Sequence, residues 1–173
     1  MEPSSTQLLV HVGRLFACVK IVGRANFNSS LDFRTLVTEL HAKHYSCFVI
    51  DLSDCALMDS TFLGVLAGFG LKMRQDGGDT DAARVTLLNP NTRVTELLEN
   101  LGILELFRIN HGTLTPPESL QACSPKPGHA SREDLIRACL EAHETLMAIN
   151  PDNVARFKDV AKFLAEDLAK VRK

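Results

Sequence analysis

Apolar positions fall into short runs whose period changes along the chain. Residues 8–23, LLVHVGRLFACVKIVG, are rich in Val, Leu and Ile, and Gly13-Arg14 divides them into two runs of strand length, which predicts a hairpin. Asn28, Ser29 and Ser30 are good helix N-caps, and Phe33, Leu36, Val37 and Leu40 then recur at helical spacing. FVIDL (48–52) is a continuous apolar run of β character that predicts a strand covered on both faces, with SDCALMDS as its exit loop. From Asp59 the pattern is helical through Phe62, Leu63, Val65, Leu66, Phe69 and Met73, and Gly77-Gly78 provides the stop. Gly64, Gly68 and Gly70 sit inside this helix. Each costs about 1 kcal/mol relative to alanine, so glycines four apart imply a face pressed against sheet or partner backbone. RVTLL (84–88) predicts another strand, Asn-Pro-Asn a turn, Val94, Leu97, Leu98 and Leu101 a helix closed by Gly102, and LFRI (106–109) a last strand. The order β-β-α-β-α-β-α-β is that of an α/β domain, with parallel neighbours in a helix-covered sheet.

The pattern breaks after residue 110. Pro116, Pro117, Pro125 and Pro127 lie among Gly, Ser and Thr with almost no apolar periodicity, so residues 1–110 form the domain, 111–130 a linker and 131–173 a helical extension. Ser131 with Asp134 three residues on matches a capping box, and Leu135, Cys139, Ala142 and Leu146 follow on one face. Asn150-Pro151 opens a second helix. In it Val154, Phe157, Ala161, Leu164, Leu168 and Val171 alternate three and four apart, the spacing of a helix–helix seam, with Phe157 the largest anchor. So short a seam does not stand alone. The extension is therefore expected to be a helical hairpin packed on itself, on the domain, or on a second copy of the chain as a homodimer.

Composition narrows the function classes. At 173 residues, with 45% hydrophobic and 23% charged, the chain has the make-up of an ordinary globular protein. A net charge of -2 lacks the basic footprint of a nucleic-acid binder. MEPSSTQ carries an acid and no basic n-region, and no stretch approaches the roughly 18 apolar residues of a spanning helix, so a protein that is not inserted in a membrane is expected. Five cysteines without a C-x-x-C pair point to a reducing compartment, the cytoplasm.

The informative stretch is Val49–Gly68, VIDLSDCALMDSTFLGVLAG, which joins a buried strand, an acidic loop and a hydroxyl pair at a helix start. Asp51, Leu52, Ser53, Asp59, Ser60, Thr61, Leu63 and Gly64 resemble the signature of the STAS family of anti-sigma factor antagonists, and the order of elements over residues 8–109 agrees. Phe62 stands where many members have glycine, and Asn26 where the first loop often has an acid. The resemblance implies a mixed sheet with helices and a regulatory binding protein without enzymatic activity or cofactor. It further implies phosphorylation at Ser60 by an anti-sigma factor serine kinase, reversal by a phosphatase, and partner contacts from Asn26, Met58, Asp59, Thr61, Phe62 and Leu63. A non-switching STAS scaffold or transporter-associated module, docked on an ATPase or a larger signalling complex, is the alternative.

The residues themselves suit a switch. A hydroxyl in the first helical turn lies among N–H groups without intrahelical partners, and added phosphate charge beside Asp59 would repel a docked partner. The plain alternative is that Asp59, Ser60 or Thr61 is only an N-cap. Other constellations point nowhere stronger. His41, His44 and Cys47 lack a fourth metal ligand. Ser60 as a hydrolase nucleophile would need a positioned base, and MDSTF is not a nucleophile elbow. DGGDTDA (76–82) lacks the lysine of a phosphate loop and reads as a turn with a short insertion.

Overall fold

The computed structural model describes residues 6–14, 16–77, 84–113 and 130–173. Most of the expected linker and the Gly-rich turn at 78–82 lie outside the described residues. The hairpin is β1 (Gln7–Val12) and β2 (Phe16–Ala25), followed by α1 (Phe27–Ala42), β3 (Cys47–Asp51), β4 (Cys55–Met58), α2 (Ser60–Asp76), β5 (Val85–Leu88), α3 (Thr92–Asn100), a 3-10 turn (Leu104–Leu106) and β6 (Arg108–Asn110). The extension supplies α4 (Arg132–Ile149) and α5 (Asp152–Val171). The sheet runs β1-β2-β3-β5-β6, with β4 paired to the far end of β2. Among the described strand pairs only β1–β2 is antiparallel.

Register explains the core. Val19 pairs with Ile50, and Ile50 with Leu87, so inward side chains line up in rows across three parallel strands. Phe33 and Val37 of α1 and Phe62, Leu66 and Met73 of α2 join the same buried cluster. Two expectations change here. SDCALMDS is not all loop, since Cys55–Met58 forms β4 against Gly23–Ala25. In β3, Phe48 and Ile50 are buried while Val49 and Asp51 are only partly covered, so the strand is fully covered on one face rather than both.

The extension closes within the chain. α4 packs on α2 and α1, and α5 packs on α4. Ser131 and Asp134 form the capping box: the Ser131 hydroxyl accepts from the Asp134 N–H at 3.1 Å, and the Asp134 carboxylate accepts from the Ser131 N–H at 3.2 Å. The Ser131 hydroxyl bond holds the Asp134 carboxyl below its ordinary range. The α5 seam is covered in its middle, where Ala161 and Leu168 are buried, whereas Val154 and Val171 at its ends are exposed. Asn153 locks the hairpin to the domain by donating from Nδ2 to the carbonyls of Leu101 and Leu146, each at 2.9 Å.

Candidate functional site

Two helix starts converge on one carboxylate. Asp59 is the N-cap of α2, and its Oδ1 accepts from the Phe62 N–H at 2.8 Å. Its Oδ2 accepts from the Phe27 N–H at 2.7 Å, in the first turn of α1. The Asp59 N–H donates to the Ala25 carbonyl at 2.9 Å, which fixes the residue to the end of β2. Capping is therefore done by Asp59, and the Ser60 hydroxyl is not needed for it. Asn26 caps α1, accepting from the Asn28 and Ser29 N–H groups at 3.1 and 3.3 Å, so this helix starts earlier than the Asn28-Ser29-Ser30 expectation.

The Ser60 side chain instead points at the extension. Its Oγ lies 2.8 Å from Nε2 of His143 on α4, and His143 Nδ1 lies 2.6 Å from the Cys139 carbonyl. A carbonyl only accepts, so Nδ1 carries the proton, and in the neutral ring Nε2 accepts from the Ser60 hydroxyl. Next to this pair the Thr61 hydroxyl donates to Cys139 Sγ at 3.6 Å. The Cys139 thiol is pushed above its ordinary range chiefly by burial, and the Asp59 charge adds to the rise. The Phe157 ring of α5 packs edge-on to the imidazole with centroids 5.0 Å apart. Thr61 and His143 are buried, while Ser60 is half-buried.

One turn along, α4 lies directly on α2. A Cβ at Gly64 would stand 2.7 Å from both the carbonyl carbon and the Cβ of Ala142, and closer still to the carbonyl oxygen. The glycine is required by this approach. The backbone pressed on it belongs to the chain's own tail rather than to sheet or partner.

Several expected contact residues turn inward. Met58, Phe62 and Leu63 are core residues with 2%, 0% and 1% exposure, so none of them offers a side chain to a partner. The Phe62 ring packs at a tilt against Phe33 with centroids 5.0 Å apart, because α1 covers that face of α2. Thr61 is shut under Cys139, and Asn26 and Asp59 are engaged as caps. Of the residues named from the sequence, Ser60 keeps a side chain free of structural duty within the domain. His41, read above as a weak metal ligand, pairs with Asp76 at 2.9 Å. His143 was missed; its only local signal is its place one turn after Cys139 on the apolar face of α4.

A Ser–His pair has the geometry of a nucleophile and base. Here Thr61, Cys139 and Phe157 line it on its buried side, while Ser60 remains half exposed. The groove of about 290 Å³ between α1, α2 and α4 is lined by Gly64, Gly68 and Ala142 among others and does not include Ser60. No helix among the described residues is long and apolar enough to cross a membrane.

Comparison with known proteins places the domain. The STAS domain family model matches residues 8–114, more than half of the chain. No curated protein matches closely enough to count as a relative. Among solved structures, an anti-sigma factor antagonist from Mycobacterium paratuberculosis is 18% identical, with 65% of this chain and 91% of that one covered and a TM-score of 0.52. The anti-sigma factor antagonist SpoIIAA in its unphosphorylated form is 18% identical, with 61% and 88% covered and a TM-score of 0.51. At these identities the likeness is one of fold, and the extension falls outside the family match. With a hairpin leading into parallel strands, α2 opening at Asp59-Ser60 and the match over residues 8–114, the chain belongs to the STAS domain family.

Proposed function

We propose that this chain is an anti-sigma factor antagonist-like binding protein of the bacterial cytoplasm, switched by phosphorylation of Ser60. The observation that carries the reading is that Ser60 opens α2 while Asp59 does the capping, so the hydroxyl serves no purpose inside the domain. The N–H groups of the first helical turn have no intrahelical partner, so a phosphate is received there without unfolding the helix. An anti-sigma factor serine kinase would transfer the γ-phosphoryl of ATP to Ser60 Oγ, breaking the bond to ADP while the hydroxyl proton passes to a base of the kinase. A phosphatase would hydrolyse the ester, returning the hydroxyl and inorganic phosphate. The unphosphorylated form would hold the kinase and free a sigma factor. The phosphate, beside Asp59, would repel that partner.

The test is the affinity of such a kinase for the wild-type and Ser60→Asp chains. A loss of at least about 2 kcal/mol, some thirtyfold, is expected, with the sheet and α2 still folded. Equal affinity would favour the second reading, a non-switching scaffold or transporter-associated module, which the coverage of α2 by α4 also suits.

A further inference from the structure

The α4–α5 hairpin occupies the face of α2 on which a partner reading Ser60 would have to dock. At the start of α2 three contacts hold it there: His143 Nε2 on Ser60 Oγ at 2.8 Å, the Thr61 hydroxyl on Cys139 Sγ at 3.6 Å, and the Ala142 backbone over Gly64. They cover the first two turns of α2 and come from one stretch of α4.

These contacts do not coexist with a phosphate on Ser60. A 2.8 Å separation is a direct hydrogen bond and leaves no room between Oγ and Nε2 for phosphorus and its oxygens. Esterification also removes the proton that Ser60 donates. With the neutral ring's proton on Nδ1 toward the Cys139 carbonyl, Nε2 has no hydrogen to offer the phosphate unless the ring takes up a second proton. The rest of the enclosure is unsuited to a near-dianion: Asp59 adjoins it, Phe157 closes one side, and Thr61 and His143 are buried.

Elsewhere α4 is anchored at its C-terminal end, where Leu146 is fully buried in the domain core and Asn153 Nδ2 ties the hairpin to Leu101, and is held more lightly along its middle. Its ion pair to α1, Arg34–Glu141 at 2.9 Å, has both side chains about half exposed, and such pairs contribute little. Beside it the three helices leave the groove of about 290 Å³, lined by Val37, Val65, Lys72 and Thr145 among others. The α4 residues buried closest to α2 include Ala138 and Ala142, which carry little apolar area.

We infer that α4 is an intramolecular occupant of the α2 docking face, and that its docking and phosphorylation of Ser60 are mutually exclusive. The inference rests on the reading of Ser60 as the phosphoacceptor. Linkage makes the exclusion reciprocal: by whatever factor phosphate weakens closure, closure disfavours the phosphorylated state. Release of the tail and exposure of the docking face are then one event.

Cys139 reports that event, because its half-buried thiol is packed over Thr61 and accepts from the Thr61 hydroxyl when the tail is docked. The experiment compares the full-length wild-type chain with one carrying phosphoserine at position 60, installed by codon suppression. N-ethylmaleimide labelling is mapped by mass spectrometry, with exposed Cys47 as the internal standard. Labelling at Cys139 is expected to rise at least tenfold with phosphoserine, while Cys47 is unchanged and hydrogen exchange in β2 and β3 stays slow. Ser60→Ala, which removes the hydrogen bond without adding bulk or charge, is expected to raise it much less. If the phosphoserine chain does not fold, the Ser60→Glu chain carries the same test. Cys139 protection equal to wild type would overturn the inference, since α4 would then accommodate the phosphate, for example by a protonated His143. Installing the phosphate directly bypasses the kinase, so this outcome is separate from failure of the kinase to recognise Ser60.

Discussion

Gly64→Ala is the substitution whose sign the docked tail controls. In the interior of a helix the change from glycine to alanine is worth about 1 kcal/mol in favour of folding. Here, however, the new methyl would stand 2.7 Å from the carbonyl carbon and Cβ of Ala142. Carbon atoms in ordinary contact lie about 3.5 Å apart, so the α4 backbone would have to retreat by roughly 0.8 Å. A backbone cannot step aside as a side-chain tip can, and overpacking of this kind costs about 1–3 kcal/mol. Stretching the Ser60–His143 bond beyond its 2.8 Å adds up to about 1 kcal/mol. The balance is a net loss of up to about 3 kcal/mol, centred on about 1.5, in the full-length chain. In a chain ending at residue 113 the conflict is gone, because the three nearest atoms all belong to Ala142, and the same substitution is expected to stabilise by about 1 kcal/mol. A domain of that length is reasonable: 61% of this chain covers 88% of the SpoIIAA structure. Urea unfolding followed by circular dichroism, on both chain lengths with and without the substitution, gives the four stabilities. Stabilisation of the full-length chain by as much as the short one would refute the docked position of α4.

Other expectations concern the packing of the extension and one buried thiol. Leu146→Ala, at a site with 0% exposure, is expected to cost about 2–5 kcal/mol, whereas Phe163→Ala, at 61% exposure, is expected to stay within about 0.5 kcal/mol in the same unfolding assay. Asn153→Ala removes the closer donor from each of the Leu101 and Leu146 carbonyls, leaving Asn150 Nδ2 at 3.5 Å and the Asn150 N–H at 3.2 Å, and is expected to cost about 1–2 kcal/mol, with faster hydrogen exchange at the α4–α5 junction. Burial pushes the Cys18 thiol up from 9.0 to about 11, so the folded state keeps its proton where the unfolded state has lost it. Stability from this group is present below pH 9 and falls as pH rises toward 11, by about 2–3 kcal/mol, and Cys18→Ala is expected to flatten that part of the pH profile.

Where local pattern decides structure, the sequence is readable. The strand around Phe48–Asp51, the helix opening at Asp59 and the Ser131–Asp134 capping box all follow from period or cap chemistry over a few residues. β4 is hidden because four residues of mixed burial, Cys55–Met58, are strand only through pairing with β2, some thirty positions earlier. The start of α1 is ambiguous because Asn26, Asn28, Ser29 and Ser30 are all capable caps, and tertiary placement of Asp59 beside Phe27 favours the first. Phe62 reads as a surface residue only if α2 has one buried face. Residues 61–67 are all buried, because α1 covers one side and α4 the other. The Ser60–His143 pair spans 83 positions and has no local pattern at all.

Whether Ser60 is the phosphoacceptor is decided by incubating the full-length chain with ATP and an anti-sigma factor serine kinase that binds it, then mapping phosphate by mass spectrometry. A single phosphate on Ser60, abolished by Ser60→Ala with the fold intact, is the expected result. Phosphate found only on Thr61 or in residues 111–130, or binding without any modification of Ser60, would contradict it.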